Sequence, residues 1–158
     1  MLGMKAYDPK YIEDCHSRVE SGVSAYKKLA AAVRKHPEDA GLASALVALE
    51  TAFFNNLLLT LDYSFVHRVA MVEGKDGNPL NEVRILCNSV LLNHGVMAKS
   101  YPWPHVSALG DKSIKLSPEN SVLKQELGEE IELTEVEFSR LSDAFFEEMR
   151  RKFAAADS

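Results

Sequence analysis

With 158 residues, 46% of them hydrophobic and 26% charged, the chain matches one ordinary folded domain, residues 1–158, and not a disordered, collagen-like or supercharged polymer. Its formal net charge is −5, and the carboxylates Glu126, Glu129, Glu130, Glu132, Glu135 and Glu137 follow one another without an intervening cation. Such a surface repels a phosphate backbone or an anionic lipid, so neither nucleic acid nor a membrane is an expected partner.

Asp8-Pro9 predicts a helix start, because aspartate accepts from free first-turn amides and proline loses nothing at the first helical position. Ile12, Cys15, Val19, Val23, Tyr26, Ala30 and Val33 then recur at spacings of three and four and form one apolar stripe. This helix should stop near Lys35, since the residue before Pro37 is pushed out of the helical region. Pro37-Glu38-Asp39 opens a second helix. It is predicted to run about 37 residues, to Gly74, on the stripe Leu42, Leu46, Leu49, Phe53, Asn56, Thr60, Tyr63, His67 and Ala70. Its middle, from Phe53 to Val66, is apolar on nearly every side and is expected to be covered by more than one neighbour.

Gly74-Lys75-Asp76-Gly77-Asn78-Pro79 reads as a turn, followed by a third helix from Pro79 to Asn93 with Gly95 as its C-cap. So short a link predicts that the second and third helices run antiparallel. Residues 96–113, with Pro102, Trp103, Pro104 and Gly110, show no period and read as an irregular crossing segment anchored by Trp103. Ile114, Leu116, Ile131 and Leu133 alternate with polar residues, which predicts a two-stranded ribbon, with a short helix from Ser117 between its strands. Thr134 and Glu137 form a capping box for a last helix carrying Phe138, Leu141, Phe145, Met149 and Phe153. The expected fold is mainly α: an up-down helical bundle of about four principal helices with an irregular or short β-hairpin insert before the last.

Two features stand out from a plain bundle. The stripe of the second helix turns polar halfway, at Asn56, Thr60, Tyr63 and His67, and buried polar groups there must form a network or line a pocket. The turn after it gathers Arg68, Glu73, Asn81, Glu82 and Arg84, with Lys75 and Asp76, near His67. Asn56, Tyr63, His67, Arg68, Glu73, Asn81, Glu82 and Arg84 are therefore the candidate ligand-binding residues. His67 would serve as acid-base and the arginines as an anion clamp. The same residues also describe a salt-bridged helix corner.

No cofactor or metal site is expected. Glu13-Asp14-Cys15-His16 is a single Glu-x-x-His, whereas carboxylate-bridged di-metal bundles use two such motifs with further glutamates. Cys15 and Cys87 belong to no C-x-x-C pair; Cys87 with His67 is the one conceivable thiol-imidazole couple. Phosphate-loop, dinucleotide-loop, H-E-x-x-H and G-x-S-x-G motifs do not occur. The opening MLGMKAYDPK lacks the apolar stretch of a signal peptide, and the cytoplasm is the expected compartment.

The segments Phe54-Asn55-Asn56, Phe65-Val66-His67-Arg68 and Glu73 to Arg84 (EGKDGNPLNEVR) resemble an uncharacterised bacterial family of helical proteins, as do Ser121-Val122-Leu123-Lys124 and Leu133-Thr134-Glu135. The resemblance covers roughly residues 45–153. It marks the loop as distinctive and implies no activity, cofactor or partner. The expected function is that of a cytoplasmic, non-enzymatic helical protein that self-associates as a dimer. The alternatives are a small-molecule or anion-binding protein or enzyme, and a metal-binding bundle.

Overall fold

In the computed structural model, which describes residues 3–99 and 113–156, five helices follow one another: α1 (Pro9–Val33), α2 (Ala40–Tyr63), α3 (Ala70–Glu73), α4 (Pro79–Leu92) and α5 (Glu135–Phe153). The protein is mainly α-helical. No strand occurs among the described residues, only three isolated bridges, Met4–Arg68, Tyr7–Ala154 and Val96–Glu130.

Local chemistry sets the helix starts, for α1, α4 and α5 where the sequence places them. Asp8, Asp39 and Asn78 accept from the backbone amides of Lys10, Leu42 and Leu80 at 2.8, 2.9 and 3.0 Å. Thr134 and Glu137 make the reciprocal capping box. Pro37 and Glu38 lie in the turn before α2, which starts at Ala40 rather than at the proline. The stripe on α1 faces inward: Ile12, Cys15, Val19, Tyr26, Ala30 and Val33 are buried.

The second helix is shorter than its periodicity predicts. It ends at Tyr63, and residues 64–67 form a turn before the four-residue α3. Side chains and the backbone of the segment before α1 stop it by satisfying carbonyls that a continuing helix would otherwise use. Tyr11 Oη donates to Ser64 O at 2.8 Å, Arg68 Nη1 to Phe65 O at 3.1 Å, and the Met4 amide to His67 O at 2.7 Å. Phe65, fully buried, plugs the space beneath the turn against Phe145 and Phe146 at centroid distances of 5.8 and 6.1 Å.

One core draws on α1, α2, α4, α5 and the insert, with Phe54, Phe138, Phe145, Phe146 and Phe153 all at 0% exposure. Each such ring contributes about 1.5–3 kcal/mol relative to its exposed state. The segment before α5 is held by single side chains rather than by a ribbon. Asn55 gives its Nδ2 to Ile131 O at 2.8 Å and takes the Leu133 amide on Oδ1 at 3.3 Å, so one carboxamide stands in for a strand. Glu50 Oε1 accepts the Glu135 amide at 3.0 Å, at the first turn of α5, where a carboxylate is favoured. Trp103 and most of the crossing segment lie outside the described residues.

At the other end, an extended strap joins the turn after α2 to the end of α5. The Met4 carbonyl accepts the Val69 amide at 3.0 Å, and Tyr7 exchanges bonds with Phe153 O and the Ala155 amide at 2.7 and 2.9 Å.

Candidate functional site

Arg68 is 4% exposed, and an ion so buried is tolerable only when its donors meet acceptors. Nε donates to Glu73 Oε2 at 2.9 Å, Nη2 to Asp62 Oδ1 at 2.8 Å and Nη1 to Phe65 O. The guanidinium carbon lies 5.7 Å from the centroid of the Phe145 ring, a cation-π distance. Short α3 exists to deliver Glu73, 2% exposed, to this point. From α4, Arg84 grips the same carboxylate with both Nε (3.0 Å) and Nη2, while Asn81 Nδ2 adds a bond to Glu73 Oε1 at 3.1 Å.

The turn between α3 and α4 is wound onto this centre. Asn81 Nδ2 also reaches Gly74 O at 3.0 Å, and its Oδ1 takes the Gly77 amide at 3.1 Å. Asn78 Nδ2 donates to Glu73 O at 2.8 Å, and Lys152, from the end of α5, reaches the same carbonyl at 2.6 Å. Gly77, at φ +86°, could not be another residue: a Cβ there would lie 2.6 Å from both Lys115 O and Asn120 Nδ2.

Charges balance locally: two guanidiniums face the carboxylates of Glu73 and Asp62. Burial alone would raise Glu73, but the Arg84 hydrogen bonds and the Arg68 and Arg84 charges outweigh it and hold the carboxyl below its ordinary value. Burial lowers Arg84, and its bond to Glu73 more than restores it. An anion clamp needs an arginine fork facing a ligand. Here both forks are engaged by the chain's own carboxylates, and the arrangement is that of a charge-neutral helix corner.

Of the eight candidate residues, the structure brings together Arg68, Glu73, Asn81 and Arg84. Glu82 points elsewhere: its two oxygens accept the Val122 and Leu123 amides at 2.7 and 2.9 Å, pinning the insert to α4. Burial pushes the Glu82 carboxyl above its ordinary value despite those two bonds. Asn56, Tyr63 and His67 are exposed, as is Thr60, which corrects the expectation that the polar half of the stripe points inward. The helix is apolar all round at its middle, and it buries Phe54, Leu58 and Leu61, a face that carries no polar group to satisfy. Asn56 turns its Nδ2 back to Ala52 O at 2.7 Å, while Tyr63 and His67 border an open cleft of about 480 Å³ with Met4, Tyr7 and Tyr11.

Two members of the corner carry no sequence signal of their own: Asp62 becomes a partner only because α2 ends one residue later, and Lys152 arrives from 79 positions away, whereas Asn78 belongs to the legible turn and also caps α4. Among the described residues no group of three His, Cys, Asp or Glu side chains could hold a metal ion. Glu13 pairs instead with Arg150 Nε at 2.6 Å, and Arg150 Nη2 lies 2.8 Å from His16 Nδ1. Cys87 is buried with its thiol pushed well up by desolvation, whereas His67 is exposed, so they form no couple.

The remaining exception to ordinary packing is the first half of α2. No residue before Phe54 in this helix is buried, and Leu42, Val47 and Leu49 are 37, 67 and 41% exposed. By length and composition the helix could cross a membrane: its best 18-residue window has mean hydropathy 1.5, and 11% of that window is buried. Comparison with protein-family models, with curated proteins and with solved structures finds no match.

Proposed function

We propose that this is a cytoplasmic, non-enzymatic helical protein that self-associates through the solvent-facing half of α2, with the Arg68–Glu73–Arg84 corner as the structural brace of that helix. The observation that carries it is the exposure of an almost uncharged helix. From Ala40 to Leu61 the sole ionisable side chain is Glu50, and its carboxylate is turned to α5. Apolar surface of this extent on a soluble domain marks an interaction face. The corner supports the reading from the other side, because its charged groups are matched to one another rather than offered to a ligand. The same reading takes the four long helices as an up-down bundle, supported by the neighbour pairs α1–α2, α2–α4, α4–α5 and α5–α1.

Sedimentation equilibrium tests it. At about 100 μM the wild-type chain is expected to sediment as a dimer and Leu49→Glu as a folded monomer whose melting temperature, unlike that of the wild type, does not change with protein concentration. A wild-type monomer at that concentration overturns the reading.

A further inference from the structure

We propose that α2 pairs with α2 of a second copy in an antiparallel, two-fold arrangement along the seam Leu42, Ala45, Leu49, Ala52 and Asn56. This rests on the self-association proposed above and specifies its geometry. All five residues are exposed, and their spacing of three and four is the heptad spacing at which helices mesh knobs into holes. At 3.6 residues per turn they occupy an arc of about 80°. That arc lies across the helix from Phe54, Leu58 and Leu61, which fill the chain's own core. The seam is therefore a second apolar face, separate from the one that folds the monomer.

Volume alternates along it: leucine, alanine, leucine, alanine. In an antiparallel pairing with position 42 against 52 and 45 against 49, every leucine meets an alanine, and the axes close to about 8 Å. A parallel in-register pairing sets alanine on alanine and leaves voids that interiors do not tolerate. The antiparallel register also carries Asn56 to Glu38 of the second copy, just ahead of the Asp39 cap, so the polar end of the seam meets a polar group. No charge opposes the contact, since Glu50 is held by the Glu135 amide. A two-fold pairing uses the same patch on both chains and closes at two copies.

Cysteine cross-linking of the full-length chain tests the geometry; the native Cys15 and Cys87, each 2% exposed, stay silent. Chains carrying Ala45→Cys and chains carrying Leu49→Cys are expected to form a disulfide when mixed and not when kept apart. Leu49→Glu should raise the dissociation constant about 30-fold or more, as a central contact does. Val47→Glu, on the far side of the helix, should leave it unchanged. Disulfides between two Ala45→Cys chains would overturn the antiparallel register while leaving self-association standing. A chain that stays monomeric, or that floats with phosphatidylcholine vesicles through α2, would overturn both.

Discussion

From Phe54 to Arg68 the chain ends α2 inside a core and closes it with a buried, neutral set of ions, whereas from Ala40 to Phe53 the same helix buries no residue at all. The first region is rigid in composition: removing any one charge leaves another stranded in low dielectric. The second is held by its cap, by α1 and by the half-buried Leu46 and Phe53 against the core, while Leu42, Val47 and Leu49 remain exposed. On the self-association proposed above, a helix over-determined at one end and under-used at the other would separate folding from association within 24 residues.

The sharpest way to break that contrast is Arg68→Met, which keeps the bulk and removes the charge. Glu73 is left with Arg84 as its one cation and Asp62 with no cation on its oxygen, and the expected loss is about 3–5 kcal/mol. Urea unfolding in a Leu49→Glu background keeps dimerisation out of the measurement. In the same background Val47→Glu, a more drastic change in polarity, should stay within about 0.5 kcal/mol. Equal effects for the two would show that the corner does not brace α2.

A pH series sharpens the contrast between the corner and its surroundings, because Glu73 within it and the buried Glu82 that pins the insert are shifted in opposite directions. Glu73 is held below its ordinary value, so its contribution is present above about pH 4.5 and is lost as pH falls through its folded value. Glu82 is raised, so its contribution is complete below that range and is lost as pH rises through its folded value. Stability by urea denaturation should therefore fall less steeply on acidification in Glu73→Gln than in wild type. Glu82→Gln should instead flatten the profile between about pH 4.5 and neutrality. Parallel curves for all three proteins would mean that neither carboxyl changes its protonation on unfolding.

How much of this could be read in advance depended on whether the deciding force was local. Asp8, Asp39, Asn78 and Thr134 act on amides within three residues of themselves, and each helix start was legible to within a few positions. The stripe of α1, with one polar and one apolar side, left a single way to bury it. Around Leu57–Leu61 the second helix has no polar side, so periodicity selected the face leading to Asn56 and the fold buries Phe54, Leu58 and Leu61 instead. The end of α2 was equally hidden, because no glycine or proline marks it: Arg68, Tyr11 and Met4 stop it from a distance. For the corner, four of eight candidates converge because a five-residue turn forces Glu73 toward α4, while the Asp62 and Lys152 contacts follow from tertiary packing alone.

The smallest expected effect falls at the open end. Asp39 Oδ1 accepts the Leu42 amide at 2.9 Å, and Asp39→Ala should cost about 1 kcal/mol by removing the N-cap. Because nothing before Phe54 is buried, that loss should be confined to fraying of the first turns. Amide exchange should accelerate over residues 40–45 and stay unchanged over residues 54–61, where Phe54, Leu58 and Leu61 anchor the helix in the core. The same fraying would loosen Leu42 and Ala45, so the variant should weaken dimerisation more than it weakens the fold. Faster exchange spreading into 54–61 would instead mean that the two halves of α2 unfold as one unit, and the division of labour along the helix would fail with it.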